Sequence, residues 1–597
     1  MKHPRFIALL LSAILLLSLF AGCADNPAAT ETSTSASEEK APLTETDKTA
    51  PETAETLTAA KETVPETTEA PDAPDVPVRW QNGGKMSFLP QEPLTIPNLS
   101  DMPYSRPDTE SLFAAYDALT AKAADCSDAE LLLADYYALL PDRQSFEAMY
   151  GIAYFRYCMD TSVDYYFDEY DFCEAQFTVL DEKESALFAA FAASPCRESL
   201  EQAYFGAGFF EDYDDFQAGG EEYLRLTAEE NALLRQYLET EASWDWDRST
   251  KAQYHDAMSS IFVELVKLRQ QIAVTKGYEN YSDYRYAVFF HRDYTPAQTQ
   301  AYLRLVREQL VPLVKSMAEQ NPTLTNATYP FVAKSREITQ LSETVEQLGN
   351  PILEAFRFME GHQLYDNSDS SSKYPTSYQT YLPSYEAPIL FTAYGDFDTL
   401  IHEFGHFVDS YCNYGDDMGQ DIAEIYSTGM EFLATAYNPA FDETKRERGL
   451  RVILRDLTMY TIIRQAAFAD FELQVYTLAP EEITVDKIDS IYAQCAKDYA
   501  FQEAYALDKM HWVDIQHFFL YPSYVVSYST AGMASMQVCR LEAEQAGAGV
   551  EAYCRLLNRT HHRKFSFVLN EAGLDSPFEE STMQKTVDFL KSFLELP

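Results

Sequence analysis

The stretch Leu400-Ile401-His402-Glu403-Phe404-Gly405-His406-Phe407-Val408-Asp409-Ser410-Tyr411 constrains this chain more than any other. Leu400, Ile401, Phe404, Phe407, Val408 and Tyr411 recur at helical spacing, so one side of a helix here must be buried. His402 and His406 stand four residues apart, which places both imidazoles on another face of that helix, one turn from each other. Two neutral imidazoles held in this way suit two corners of a zinc tetrahedron, and Glu403 beside them is placed to act as a general base. With ten histidines in 597 residues, a chance His-Glu-x-x-His is rare, about one or two per hundred chains of this composition. The bland alternative is a surface pair of histidines on an ordinary amphipathic helix.

Two histidines leave a catalytic zinc one protein ligand short. After His406 a polar turn over 413–419 leads into a second helix from about 421 to 437, stopped by Asn438-Pro439. Glu424 lies in its first turn, and Glu431 lies two turns further along the same face. Asp421-Ile422-Ala423-Glu424 also resembles a capping box, in which the glutamate only returns to the N–H of the cap residue. Its place one short turn after the histidine helix favours Glu424 as the third ligand, with Glu431 suited to orienting His402 or His406. Asp409, three residues past His406, is either an acceptor for an imidazole or a solvated acid.

Composition narrows the partners. A formal charge of −49 argues against nucleic acid, whose phosphates need a basic face, and against attraction to anionic lipid by charge alone. Nine cysteines are present and none forms Cys-x-x-Cys, so there is neither a thiolate zinc knuckle nor a thioredoxin-type motif. Residues 1–22 combine a basic start with an apolar run from Phe6 to Phe20, too short for a confident membrane span, and read as a secretion signal. Leu19-Phe20-Ala21-Gly22-Cys23 resembles a bacterial lipobox, in which Cys23 is lipidated and becomes the mature N-terminus. Residues 23–79 are rich in Thr, Glu, Ala, Pro and Ser, and cannot bury enough surface to offset their ordering entropy. A disordered acidic tether to the bilayer is expected there.

From Trp80 the composition is that of a globular protein, read as an N-terminal helical part over 80–250 and a catalytic part over 251–597. Apolar residues at helical spacing predict helices over 108–124, 127–140, 182–193, 228–241 and 250–275, and Thr295-Pro296 opens another running through Val311. Tyr378–Leu382 and 388–393 are the best strand candidates. The stretch 160–223, dense in Tyr, Phe, Asp and Glu, reads as aromatic packing between solvated acidic faces.

His402-Glu403-Phe404-Gly405-His406, followed by Asp421-Ile422-Ala423-Glu424-Ile425, resembles the thimet oligopeptidase/oligoendopeptidase F family of zinc peptidases. Segments 277–285, 378–400, 517–532 and 565–596 agree, so the resemblance covers about residues 250–597. The connection from His406 to Glu424 is several residues shorter than is usual in that family, and Asp409 stands where many members have a third histidine. The resemblance implies a mainly helical, two-lobed body around a deep substrate channel, with a small sheet beside a single zinc ion. It implies oligopeptide substrates, and a monomer is expected. Amide hydrolysis builds negative charge on the carbonyl oxygen, which zinc enzymes meet with hydrogen-bond donors. The segment 517–532 resembles the family's run of one histidine followed by several tyrosines. Alignment through Tyr528-Ser529-Thr530 makes Tyr524 the oxyanion donor and His517 the partner of the substrate backbone or the oxyanion, while Tyr521 and Tyr528 stay open. The alternative is a buried aromatic helix whose hydroxyls are satisfied locally. His511, His561 and His562 are expected on the surface, and the strand near 388–393 is expected to pair with an extended substrate. The sequence thus predicts a lipid-anchored zinc endopeptidase outside the cell membrane; its rival is a lipoprotein that captures peptides without cutting them.

Overall fold

A computed structural model describes residues 95–596, apart from 206–208, 214–219, 243, 245–248, 291, 375, 394–395, 416–419, 502–510 and 559–563. The signal, Cys23 and the tether lie outside the described residues, as do His561 and His562. Helices α1 (Thr109–Ala123), α2 (Ala129–Met159) and α3 (Asp164–Ala193) open the described chain. Asp108 and Asp128 cap the first two by accepting from the N–H groups of Ser111 and Leu131. α2 outruns the predicted 127–140 because the helix passes through Pro141. The proline forfeits one backbone hydrogen bond, but Phe146, Tyr150, Ile152 and Tyr154 resume the buried face beyond it. α3 likewise begins well before residue 182.

Buried apolar side chains fall into two clusters. The smaller joins Leu112 and Tyr116 of α1 to Tyr136 of α2 and Phe188 and Phe191 of α3. The Tyr204, Phe209 and Phe210 rings each lie 4.9 Å from that of Phe205, which packs against this cluster. The larger cluster takes Tyr154, further along α2, and Tyr170, nearer the start of α3, and surrounds the histidine helix. Helices α4 (Gly220–Ala242) and α5 (Lys251–Thr275) follow, the latter opened by a Thr250–Gln253 capping box.

A three-stranded sheet, β1 (Tyr365–Asp366), β2 (Tyr378–Leu382) and β3 (Ala387–Phe391), has the order β1-β3-β2. β3 is fully buried at the centre, parallel to β1 and antiparallel to β2, with Thr380 opposite Ile389. This corrects the expectation that 388–393 pairs with substrate. Leu390 N–H donates to Leu364 O at 2.9 Å, Thr392 N–H to Asp366 O at 3.0 Å, and Ala393 N–H to Ser377 Oγ at 3.0 Å. The Leu390, Thr392 and Ala393 N–H groups are therefore already used within the fold.

Later helices include α6 (Phe397–Asn413), α7 (Gln420–Ala436), α8 (Arg464–Val475), α9 (Val485–Asp498), α10 (Gln516–Leu520) and α11 (Val526–Glu544). At Gly405 a Cβ would stand 2.4 Å from Tyr426 O and 2.7 Å from Ser427 Cα. Only glycine lets the α6 and α7 backbones approach so closely. The molecule is therefore mainly helical with one small sheet leading into α6. Among the described residues, Cys126, Cys158, Cys173, Cys196, Cys412, Cys495, Cys539 and Cys554 form no disulfide. Among the described residues no helix is long and apolar enough to cross a membrane.

Candidate active site

The apolar stripe of α6 is buried throughout, from Leu400 to Tyr411. His402 and His406 occupy a half-buried face, their rings 5.3 Å apart at 73°. From α7, Glu424 Oε2 stands 3.6 Å from His402 Nε2 and 3.7 Å from His406 Nε2. Ligands about 2.0–2.2 Å from a tetrahedral zinc lie roughly 3.3–3.6 Å from one another. The two histidines and the glutamate therefore already have the spacing of a one-ion site, all three ligand atoms falling within 4.8 Å.

Neighbouring groups orient this set. His402 Nδ1–H donates to Glu431 Oε1 at 2.5 Å, which orients the ring so that Nε2 faces Glu424. Ser427 Oγ donates to Glu424 Oε2 at 2.8 Å. Asp421 is not a cap: its carboxylate accepts from Arg292 Nε at 3.2 Å and from Tyr294 Oη at 2.9 Å. With α7 beginning at Gln420, the capping-box alternative for Glu424 loses its geometry. Asp409 is buried rather than solvated, and its Oδ1 accepts from Asn413 Nδ2 at 2.8 Å.

Glu403 is fully buried, and neither carboxyl oxygen has a hydrogen-bond partner in the protein. Such a group costs about 1–3 kcal/mol unless something else in the site completes it, as a reacting group would. Burial pushes its carboxyl up to about 8, against the pull of His402 and with the added charge of Glu424 and Glu431. Burial alone would push His402 down, but the Glu431 hydrogen bond and charge, helped by Glu424 and Glu403, carry it up to about 9. His406 is driven well below the ordinary histidine range by burial and then by His402. Two imidazoles and two carboxylates thus crowd one buried place, an arrangement typical of metal or proton-transfer sites.

His517, Tyr521, Tyr524 and Tyr528 form a ring cluster. His517 stacks on Tyr524 at 5.8 Å and 20°, and Tyr528 meets Tyr524 edge-on at 4.9 Å. Tyr521 lies 5.8 Å from His517. The Tyr524 phenol is held far above its usual range by burial and next by the charge of Glu424, which places it within electrostatic reach of the proposed ligand.

Sequence reasoning missed what holds this segment. Arg269 donates to the carbonyls of Phe518, at 3.1 Å, and Phe519. Arg285 Nε donates to Pro522 O at 3.2 Å. Arg292 donates to Ser523 O at 2.9 Å and to Ser527 Oγ at 2.7 Å while pairing with Asp421, and so ties the tyrosine segment to α7. Glu472 Oε1 accepts Ser523 N–H at 2.9 Å, fixing a serine whose φ of 68° lies in the left-handed region. One signal was available: Arg269 sits among Leu265, Leu268 and Ile272 on the buried stripe of α5, where a lone arginine needs partners.

Fold and constellation together show a mainly helical protein in which two histidines and a glutamate stand at metal-ligand spacing beside a second, buried glutamate. Two family models match the chain, the Peptidase M3 N-terminal domain over residues 99–214 and Peptidase family M3 over residues 371–587, together more than half of its length. The chain belongs to peptidase family M3, whose members are zinc-dependent. The first match lies outside the stretch 250–597 that carries the sequence resemblance. Oligopeptidase PepF of Bacillus subtilis is 31% identical over 191 residues, which span 30% of this chain and 28% of that protein. The structure of PZ peptidase A with an inhibitor superposes with a TM-score of 0.69 at 21% identity, covering 83% of this chain and 99% of the other. A structure from Bacillus anthracis that carries the oligoendopeptidase F name gives 0.69 and 21%, covering 84% and 98%. At these identities the structural likeness speaks for the fold.

Proposed function

We propose that this protein is a zinc endopeptidase that hydrolyses oligopeptides, with His402, His406 and Glu424 as the metal ligands. The observation that carries the proposal is the convergence of those three side chains beside the buried, unpartnered carboxyl of Glu403. Zinc, when bound there, would polarise a scissile carbonyl and make water more acidic. Glu403 accepts the proton of the attacking water and returns it to the leaving amine. Glu431 holds His402 in one tautomer. Tyr524 donates to the developing oxyanion, and His517, stacked on it, contacts the substrate backbone or the same oxygen.

The test is digestion of a diverse peptide mixture by the purified protein, with metal content measured in parallel. About one zinc per chain and cleavage within the peptides are expected, and Glu424→Gln should lose both. Peptide binding without cleavage would favour the capture lipoprotein; full zinc and activity in Glu424→Gln would remove Glu424 from the ligand set.

We further propose an extracellular, lipid-anchored location, which rests on the apolar run ending at Cys23 and the polar stretch after it. Cys23→Ala should release the protein from membranes into the medium. Unchanged membrane retention would rule the anchor out.

A further inference from the structure

Away from the candidate active site, three elements distant in the chain converge on a second group of metal-binding side chains. His255 lies on α5, Asp489 on α9, and His511 immediately precedes the short turn Trp512–Asp514. His255 Nε2 is 3.0 Å from Asp489 Oδ1, and His511 Nε2 is 3.8 Å from the same oxygen. These values bracket the roughly 3.3–3.6 Å edge of a tetrahedral zinc-type site, and one ligand atom from each residue falls within 4.8 Å of the others. The two imidazoles meet edge-on at 4.6 Å and 85°.

An isolated His–Asp hydrogen bond would account for the first distance alone. It does not account for the rest of the arrangement. Trp512 Nε1–H donates to the same Asp489 Oδ1 at 2.8 Å, anchoring the carboxylate as the neighbours of metal ligands commonly do. His511 is fixed in turn, its backbone N–H donating to Asp514 Oδ2 at 2.9 Å, while its Nδ1 has no hydrogen-bond partner in the protein. The side chains are 20%, 35% and 39% exposed for His255, Asp489 and His511, so water can complete a coordination shell.

We propose that His255, Asp489 and His511 form a second site for a divalent ion of the zinc, nickel and copper class, sharing no residue with the candidate active site. Imidazole-rich sets favour these ions over calcium and magnesium. Binding there would clamp α5, α9 and the chain entering α10 to one another.

Trp512 provides the readout, because its indole touches a ligand. Untagged full-length protein, as purified with its resident metal, is titrated with Ni2+ while tryptophan emission and bound nickel are followed. One further equivalent should bind and quench a component of the emission. His511→Gln and Asp489→Asn should each lose that equivalent and the quenching, yet keep peptide cleavage within about twofold of the wild type. The Asn variant retains an acceptor for Trp512 and guards against a merely misfolded result. Glu424→Gln should keep the nickel equivalent, so failure of this site and failure of the proposed function are told apart. No quenching in the wild type, or undiminished quenching in both variants, would overturn the proposal.

Discussion

The helix pair α6 and α7 and the segment from His517 to Tyr528 face one candidate site but are held by different means. His402, His406, Glu424 and Glu431 lie within 30 residues on two adjacent helices, and the helices approach through Gly405. The tyrosine segment takes its shape from Arg269, Arg285, Arg292 and Glu472, which reach it across 51 to 250 residues of sequence. A local repeat of side chains sets the first; buried charges from elsewhere, bonded to main-chain groups, set the second. What the contrast teaches is where substitutions should act. Changes on the helix pair should move metal binding or proton transfer, and changes in the segment should move stabilisation of the transition state.

The sharpest break should come at Glu403. Glu403→Gln is expected to keep its metal and bind peptide but to lose about 100- to 10,000-fold in turnover, the scale of general-base catalysis. Metal analysis beside single-turnover kinetics checks this, and near-normal turnover would end the assignment. Tyr524→Phe removes only a hydroxyl and keeps the ring. A kcat loss of ~100- to 1000-fold is expected, with KM, zinc content and Tm barely changed. Tyr521→Phe and Tyr528→Phe are the controls: if one of them carries the loss instead, the oxyanion donor is a neighbouring tyrosine. A rise in KM alone would make Tyr524 a binding residue. The smallest effect is expected on the other side of the comparison. Gly405→Ala forces a methyl group against the Tyr426 carbonyl and should cost about 1–3 kcal/mol in stability. Calorimetry and zinc retention after dialysis would show α7 pushed away from the histidines; unchanged values for both would mean that the helix spacing is not set here.

The helix-pair half of the site was legible in the chain because its rule is local. A period of 3.6 buries Leu400, Phe404 and Phe407 and brings His402 above His406 whatever the rest of the molecule does. The expected end of α7 and the strand Tyr378–Leu382 were readable for similar reasons. The length of α2 was not, since Pro141 is a local stop signal that packing on both sides overrides. Nor was the place of β3: a run of apolar residues reads as a strand, but whether it is central or at an edge depends on partners such as Tyr365–Asp366, too short to recognise.

What the sequence by itself determined is the chemistry: two histidines and a glutamate in helical register, a second glutamate one short turn beyond, and a tyrosine-rich segment resembling that of a known peptidase family. Tertiary structure alone decided which of those groups meet. It placed Glu424 rather than a cap interaction beside both imidazoles, gave His402 to Glu431 and Asp409 to Asn413, and enlisted three arginines to hold the tyrosine segment. It also joined His255 to Asp489 and His511, residues that nothing in the linear pattern connects. The physical reason is that a hydrogen bond or an ion pair depends on distances of a few ångströms, and between residues far apart in the chain only the packing of the whole core sets those distances.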